Sequence, residues 1–384
     1  MAKCTTEALS TFNFKRNDIM SRTVEAAVSD PGRTAVTLID CDVHNAPNSI
    51  SELRPFLSKR WQQYVCDSGF EGPPGPVYPK AFSRAARRDA WPPGGGLPGG
   101  DPDFARQQLL DAWKIDFAIL NPLYNVAAVH NIDFAVALMR AVNDWTAERW
   151  LSHDPRWRGS MVVTPQDPPA AATEIRRLGQ DGRFVQVLLL VRSEAPYGKR
   201  QFHPIFEAAS EVGMPVGLHF GGGGHPITPC GWPSYYLEDH TSMSLAFQAQ
   251  VTSLVVEGVF EKFAGARVTL IEGGFAWLPS LMWRLDKNFR ALRDEVPWLT
   301  RLPSEYIRQH FRATTQPIEE PPNPRHLMDI LDMIGCDDYL MFATDYPHWD
   351  FDAPDRSIPA SVPDDLRKRI MSTNAADHYD FERT

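Results

Sequence analysis

The chain has 384 residues, long enough for one large α/β barrel or for two domains, and a formal net charge of -9. That acidic balance lacks the basic face that displaces counterions from nucleic acid or anionic lipid, so neither is expected as a partner. Cys4, Cys41, Cys66, Cys230 and Cys336 show no CxxC spacing, which argues against a disulfide framework or structural zinc and points to a reducing cytoplasm. Met1 to Asp30 holds no continuous apolar segment, and no apolar run elsewhere reaches the ~18 residues of a membrane span, so neither a secretory leader nor a membrane anchor is expected.

Residues 1–33 read as an extension, helical in part near Ser21 to Val28, ahead of a domain spanning 34–384. The first strand covers Ala35 to His44, where a period of two puts Val36, Leu38, Asp40, Asp42 and His44 on one side. From Asn45 to about Phe104 the chain is rich in Pro and Gly, with one short helix within Ile50 to Val65; such an insertion serves as a lid or as an intersubunit arm.

Helices and strands then alternate. Ala105–Lys114 precedes strand Asp116–Leu120, Asp133–Ser152 precedes Gly159–Thr164, and Ala170–Leu178 precedes Phe184–Leu190. Phe202–Val212 precedes Pro215–Phe220, Ser244–Phe263 precedes Arg267–Glu272, and Ala276–Glu295 comes before Phe311–Thr315. Pro324–Ile334 comes before Tyr339–Ala343, which runs into Asp345, and a last helix follows Pro359. Eight apolar strands separated by helices predict an α/β fold, a (β/α)8 TIM barrel with an N-terminal extension and a long insertion after strand one.

In such a barrel the site lies at the C-terminal strand ends. Those ends carry Asp42, His44, His219, Glu272 and Asp345. Singly, each is as well explained as a cap or a hydrogen-bonding residue. Together, in otherwise apolar strands, they would leave buried charge unpaired unless a cation sits among them. Gly217, two residues before His219, leaves room for the imidazole. His240, just ahead of a helix, suits an extra ligand or proton carrier as well as a helix cap, and His225 and His348 rank below it. Gly221 to Gly224 predict a loop over the mouth. Asp40 reads as a supporting hydrogen-bond acceptor, and Glu319-Glu320 as a solvated loop. Trp91 and Trp232 suit lid packing or an aromatic-substrate wall.

The order of motifs resembles the amidohydrolase-related family, the barrel group that includes aminocarboxymuconate-semialdehyde decarboxylase and its hydrolase relatives. The resemblance runs from about Ile39 to Tyr379. It rests on Asp40-Cys41-Asp42-Val43-His44, Gly217-Leu218-His219, Ile271-Glu272-Gly273-Gly274, Ala343-Thr344-Asp345-Tyr346-Pro347-His348 and Asn374-Ala375-Ala376-Asp377-His378-Tyr379. It implies metal ligation by Asp42, His44, His219 and Asp345. The family's strand-one motif is usually His-x-His, and its strand-six position commonly holds His where this chain has Glu272. Imidazole thus gives way to carboxylate twice, which brings manganese or iron forward beside zinc, the first expectation, as one ion or two. Glu272 is expected as a further ligand or bridge, or as a general base on metal-bound water, with His240 also moving protons.

The expected activity is that of a metal-dependent hydrolase or decarboxylase acting on a small organic carboxylate, amide or ester. Two alternatives stand beside it: a carboxylate-bridged dinuclear iron or manganese oxygenase, and a non-catalytic barrel subunit. The expected assembly is a homodimer or a hetero-oligomer with a homologous barrel.

Overall fold

In a computed structural model, residues 38–75, 78, 83–222 and 225–381 are described. The anticipated extension over 1–33, the start of the first strand, and Gly223 and Gly224 lie outside them. Eight strands form one sheet in sequential order: β1 (Ile39–Val43), β2 (Phe117–Leu120), β3 (Trp157–Val162), β4 (Phe184–Leu190), β5 (Val216–His219), β6 (Val268–Ile271), β7 (Phe311–Thr314) and β8 (Leu340–Met341). Every neighbouring pair is parallel. This is the expected (β/α)8 barrel.

The ring closes just beyond β8. Cys41 N donates to Phe342 O at 2.9 Å, Asp345 N to Asp42 O at 3.0 Å and His44 N to Tyr346 O at 2.7 Å. The apolar run Tyr339 to Ala343 contributes only two residues to the regular ladder, because Phe342 N turns to Ile370 O and Ala343 N to the Thr315 hydroxyl. The β1–β2 register shifts between Asp40 and Val43, which breaks the strict alternation that the sequence suggests for β1. Asp40 sits at that irregularity and accepts from Asp42 N, Thr344 N and the Thr344 hydroxyl, tying β1 to the chain after β8.

Local chemistry explains the helical shell. Helix Ile132–Thr146 begins where the Asn131 side chain accepts from Phe134 N, and it buries Phe134, Leu138, Val142 and Trp145 at helical spacing. Asp167 likewise caps helix Pro168–Leu178, with proline in the first turn. The helices not foreseen include Tyr236–Thr241, which holds His240 within it rather than ahead of a helix, and Pro303–His310, too short for a clear period, which starts on the Leu302–Glu305 backbone and side-chain contact and leads straight into β7. The anticipated single helix over Ser244–Phe263 is two, Met243–Val256 and Val259–Lys262, split at Gly258, whose φ is +75°.

The insertion over 45–104 folds back on its own barrel. Ala46 N donates to Gly99 O, and Asn48 holds Leu97 N and Gly100 O. Gly99 has φ +73°, and a Cβ there would stand 2.4 Å from the His44 carbonyl oxygen, so only glycine lets the returning chain meet β1. Further on, Arg87 N donates to Pro347 O and Trp349 N to Ala85 O, lacing the insertion to the segment that follows Asp345. No helix among the described residues is long and apolar enough to cross a membrane.

Candidate metal centre

The barrel brings Asp42, His44, His219 and Asp345 to one point, and all four side chains are buried. His44 Nε2 lies 2.7 Å from Asp345 Oδ1 and 3.4 Å from Asp42 Oδ1; His219 Nε2 lies 3.2 Å from both Asp42 oxygens. The outer nitrogens fix the tautomers. His44 Nδ1 donates to Asn121 O at 2.9 Å and His219 Nδ1 to Phe220 O at 2.6 Å, and a carbonyl can only accept. Both Nε2 lone pairs therefore face carboxylates, a contact that is repulsive unless a proton or a cation lies between.

The charges are strongly perturbed. Burial opposes ionisation of Asp42, but the His219 and His44 imidazoles and the Asn121 amide outweigh it and hold the carboxyl at about 2. Burial likewise opposes charge on His44, yet Asp42 and Asp345 raise it to about 9. Burial, with Asp350 and Asp42 adding to it, pushes Asp345 up to about 7 despite the His44 hydrogen bond. Asp345 Oδ2 is closed off from solvent and has no hydrogen-bond partner. Two imidazoles, two carboxylates and one orphaned carboxylate oxygen fit a divalent ion held by nitrogen and oxygen donors.

Below the centre runs a buried polar chain. Asn121 donates from its amide to Asp42 Oδ1 at 2.9 Å and to Cys41 O, while its Oδ1 accepts from Ser160 and Gln186. Gln186 accepts in turn from the Tyr379 hydroxyl, which meets Thr269 and, through it, His378. The space that Gly217 leaves is filled by Gln186: a Cβ on Gly217 would stand 2.6 Å from its amide carbon.

Glu272 and His240 lie beside this centre. Glu272 Oε2 is 3.6 Å from His219 Nδ1, and its Oε1 is 3.8 Å from His240 Nε2. His240 Nε2 is also 3.3 Å from Asp350 Oδ2. His348, of lower rank in the sequence, places Nδ1 2.7 Å from Asp345 Oδ1 and its ring 4.4 Å from that of His44. His225 joins no ligand group among the described residues. Glu319, expected in a solvated loop, is instead half-buried and accepts from Phe275 N and Ala276 N ahead of helix Leu278–Leu292. Asp350 and Asn121 were missed. Asp350 lies in an acidic alternation, Asp350-Phe351-Asp352, directly after the Asp345 motif, which is a readable signal; Asn121 is a single polar residue after an apolar strand, which is none.

A cavity of about 780 Å³ opens at this end of the barrel, with His44, His348, Phe220, Tyr124, Tyr236 and Trp232 in its wall. The insertion contributes Ser83, Arg84 and Ala86 to it, as a lid would. Glu272 and His240 are not in this wall.

Strands that aim histidines and carboxylates at one buried point define a metal-dependent (β/α)8-barrel enzyme. The chain belongs to the amidohydrolase family, whose pattern it matches over residues 39–381. It is 28% identical over 302 residues to the gamma-resorcylate decarboxylase of Rhodococcus jostii, covering 72% of this chain and 87% of that protein. A gamma-resorcylate decarboxylase of Polaromonas is 27% identical over 297 residues, with the same coverage. Among solved structures, 5-carboxyvanillate decarboxylase from Novosphingobium aromaticivorans, complexed with manganese, superposes with a TM-score of 0.67 at 21% identity, over 94% of this chain and all of that one.

Proposed function

We propose that this enzyme is a metal-dependent decarboxylase of a small hydroxylated aromatic carboxylate, with Asp42, His44, His219 and Asp345 holding the ion. The observation that carries the reading is the convergence of two buried imidazoles and two buried carboxylates, Nε2 of His44 and His219 turned to Asp345 and Asp42 and Asp345 Oδ2 left without a hydrogen-bond partner, a set that a divalent ion would satisfy. Decarboxylation is favoured over hydrolysis and oxygenation because the curated relatives are decarboxylases of an aromatic acid. Manganese is the preferred ion, since the donor set is carboxylate-rich and solved relatives hold manganese.

When bound, the ion supplies a Lewis acid for the oxygens of the substrate carboxylate. The chain's own residues do the rest. Phe220, Tyr124 and Tyr236 offer the apolar faces against which an aromatic ring packs. Loss of CO2 from an aromatic acid leaves a carbon that must gain one proton. His348 lies in the cavity wall with Nδ1 2.7 Å from Asp345 Oδ1, so its imidazole is placed to hold that proton beside the ring.

The test is incubation of manganese-loaded protein with gamma-resorcylate and 5-carboxyvanillate, following CO2 release and the ultraviolet spectrum of the ring. Turnover that disappears on chelation and returns with Mn²⁺ is expected. Turnover that survives complete metal removal would refute the assignment, as would inertness of the loaded enzyme toward every hydroxybenzoate offered.

A further inference from the structure

The C-terminal residues enter the barrel from the end opposite the metal centre. Asn374 donates to Leu340 O at 2.8 Å and to Asp337 O at 2.9 Å, and Arg267, just ahead of β6, donates to His378 O at 2.7 Å. These bonds pin helix Asn374–His378 against the strand starts. Tyr379, whose N–H bonds to Ala375 O, then joins a small apolar floor with Ile39, Cys41, Ile119, Val185 and Met341, separate from the main core.

Above this floor the hydrogen-bond directions are forced one after another, starting from Asp42. Cys41 O and the ionised Asp42 carboxylate can only accept, so Asn121 must present its amide nitrogen to them and its oxygen to Ser160 and Gln186. That oxygen accepts the Ser160 hydroxyl at 2.6 Å and the Gln186 amide nitrogen at 3.2 Å. Gln186 also donates to Ser160 Oγ at 2.9 Å, which leaves its own oxygen to accept from the Tyr379 hydroxyl at 2.9 Å. Turning the Gln186 amide over would set two carbonyl oxygens against each other. Burial first, then Cys41 and Asp42, keeps the Tyr379 hydroxyl protonated and able to donate. Thr269 lies beyond it, 3.3 Å from the Tyr379 oxygen and 2.9 Å from His378 Nε2, and its hydroxyl can turn to either without disturbing an amide. Tyr379 is therefore the last member of the chain that fixes an orientation. All of its members are buried, so bulk solvent does not replace a lost donor.

We propose that Tyr379 is a positioning residue for Asp42: its hydroxyl, acting through Gln186 and Asn121, holds the Asp42 carboxylate in the orientation that grips the ion. The inference rests on the reading of Asp42 as a metal ligand, and it adds that the last turn of the chain sets how well that ligand is presented. A tyrosine with a packing role alone would be replaced without loss of affinity by phenylalanine, which fills the same floor.

The test measures Mn²⁺ affinity of the full-length protein by titration calorimetry, with urea unfolding of the metal-free form alongside. Tyr379→Phe keeps the ring and removes only the donor, and affinity should fall about 3–10-fold, less than for a residue bonded to the ligand itself. Thr269→Val, on the far side of the same hydroxyl, should lower stability yet leave affinity within about twofold, because it fixes no amide. In an Asn121→Ala background the effect of Tyr379→Phe on affinity should vanish, since the path between tyrosine and ligand is already cut. A fall of less than about threefold in Tyr379→Phe would overturn the proposal, as would an equal fall in Thr269→Val or an effect that persists in full without Asn121. Absence of Mn²⁺ binding by wild type would instead refute Asp42 as a ligand, and the positioning role with it. Should Tyr379→Phe fail to fold, Gln186→Met, which cuts the same path one step nearer the ion, must show the fall.

Discussion

Asn121 is where the barrel's polar interior meets the proposed ligands, and its removal should be costly in two separable ways. In Asn121→Ala, the Asp42 carboxylate loses a 2.9 Å donor and the Cys41 carbonyl loses its 3.2 Å donor, whereas Ser160 and Gln186 keep each other. A hydrogen bond to a charged group is worth about 1.5–3 kcal/mol, and an orphaned buried neutral group costs about 1–3 kcal/mol. Together they give a loss of about 2.5–6 kcal/mol, read from urea unfolding of metal-free protein. Because Asn121 also orients Asp42, manganese affinity should fall about 10–100-fold, the usual consequence of losing a partner of a metal ligand. Titration calorimetry with Mn²⁺ measures this directly. Affinity within threefold of wild type, together with a stability loss under about 1 kcal/mol, would refute the idea that Asn121 holds Asp42 in place.

Further outcomes follow from the same geometry. Gly217→Ala should lower stability by about 1–3 kcal/mol through its clash with the Gln186 amide, and adding Gln186→Ala should recover part of that loss in thermal melts; no recovery would show that the clash is not the cause. His378 is kept neutral, first by burial and then by Arg267 and Arg312, with its pKa well below the ordinary value. The unfolded chain takes up a proton as pH falls through about 6.5 while the folded chain does not, so stability should fall on acidification by up to about 1.4 kcal/mol per pH unit. His378→Asn should flatten that part of the pH–stability curve, and an unchanged slope would contradict the assignment. Glu319→Ala should cost about 0.5–2 kcal/mol, as for a lost helix cap, because two backbone N–H groups lose their acceptor; stability equal to wild type in urea unfolding would show that solvent replaces it.

The barrel was legible because its strands are apolar runs of the right length. Phe184–Leu190 has the same ends in sequence and structure, since a seven-residue run of mostly branched and aromatic side chains has few other solutions. What the sequence could not supply was geometry between distant residues. Asp42, His44, His219 and Asp345 could be grouped from their strand-end positions and the family resemblance, but the roles of Asn121 and Asp350 depend on neighbours 79 and 110 positions away, Asp42 and His240 respectively. The helix Pro303–His310 escaped because eight residues hold barely two turns of periodicity. The two-residue β8 escaped because its pairing is diverted to Ile370 and Thr315, partners that no local pattern reveals.

The seam that completes the ring is made by the same few residues that would grip the ion. Asp345 N bonds to Asp42 O and His44 N to Tyr346 O, so the spacing between two acids from opposite ends of the chain is set by main chain rather than by side-chain choice. A hoop clasped at the point where it pinches its cargo cannot loosen one without the other. Amide exchange at His44 and Asp345 should therefore slow when Mn²⁺ is added, making the clasp a built-in reporter of occupancy.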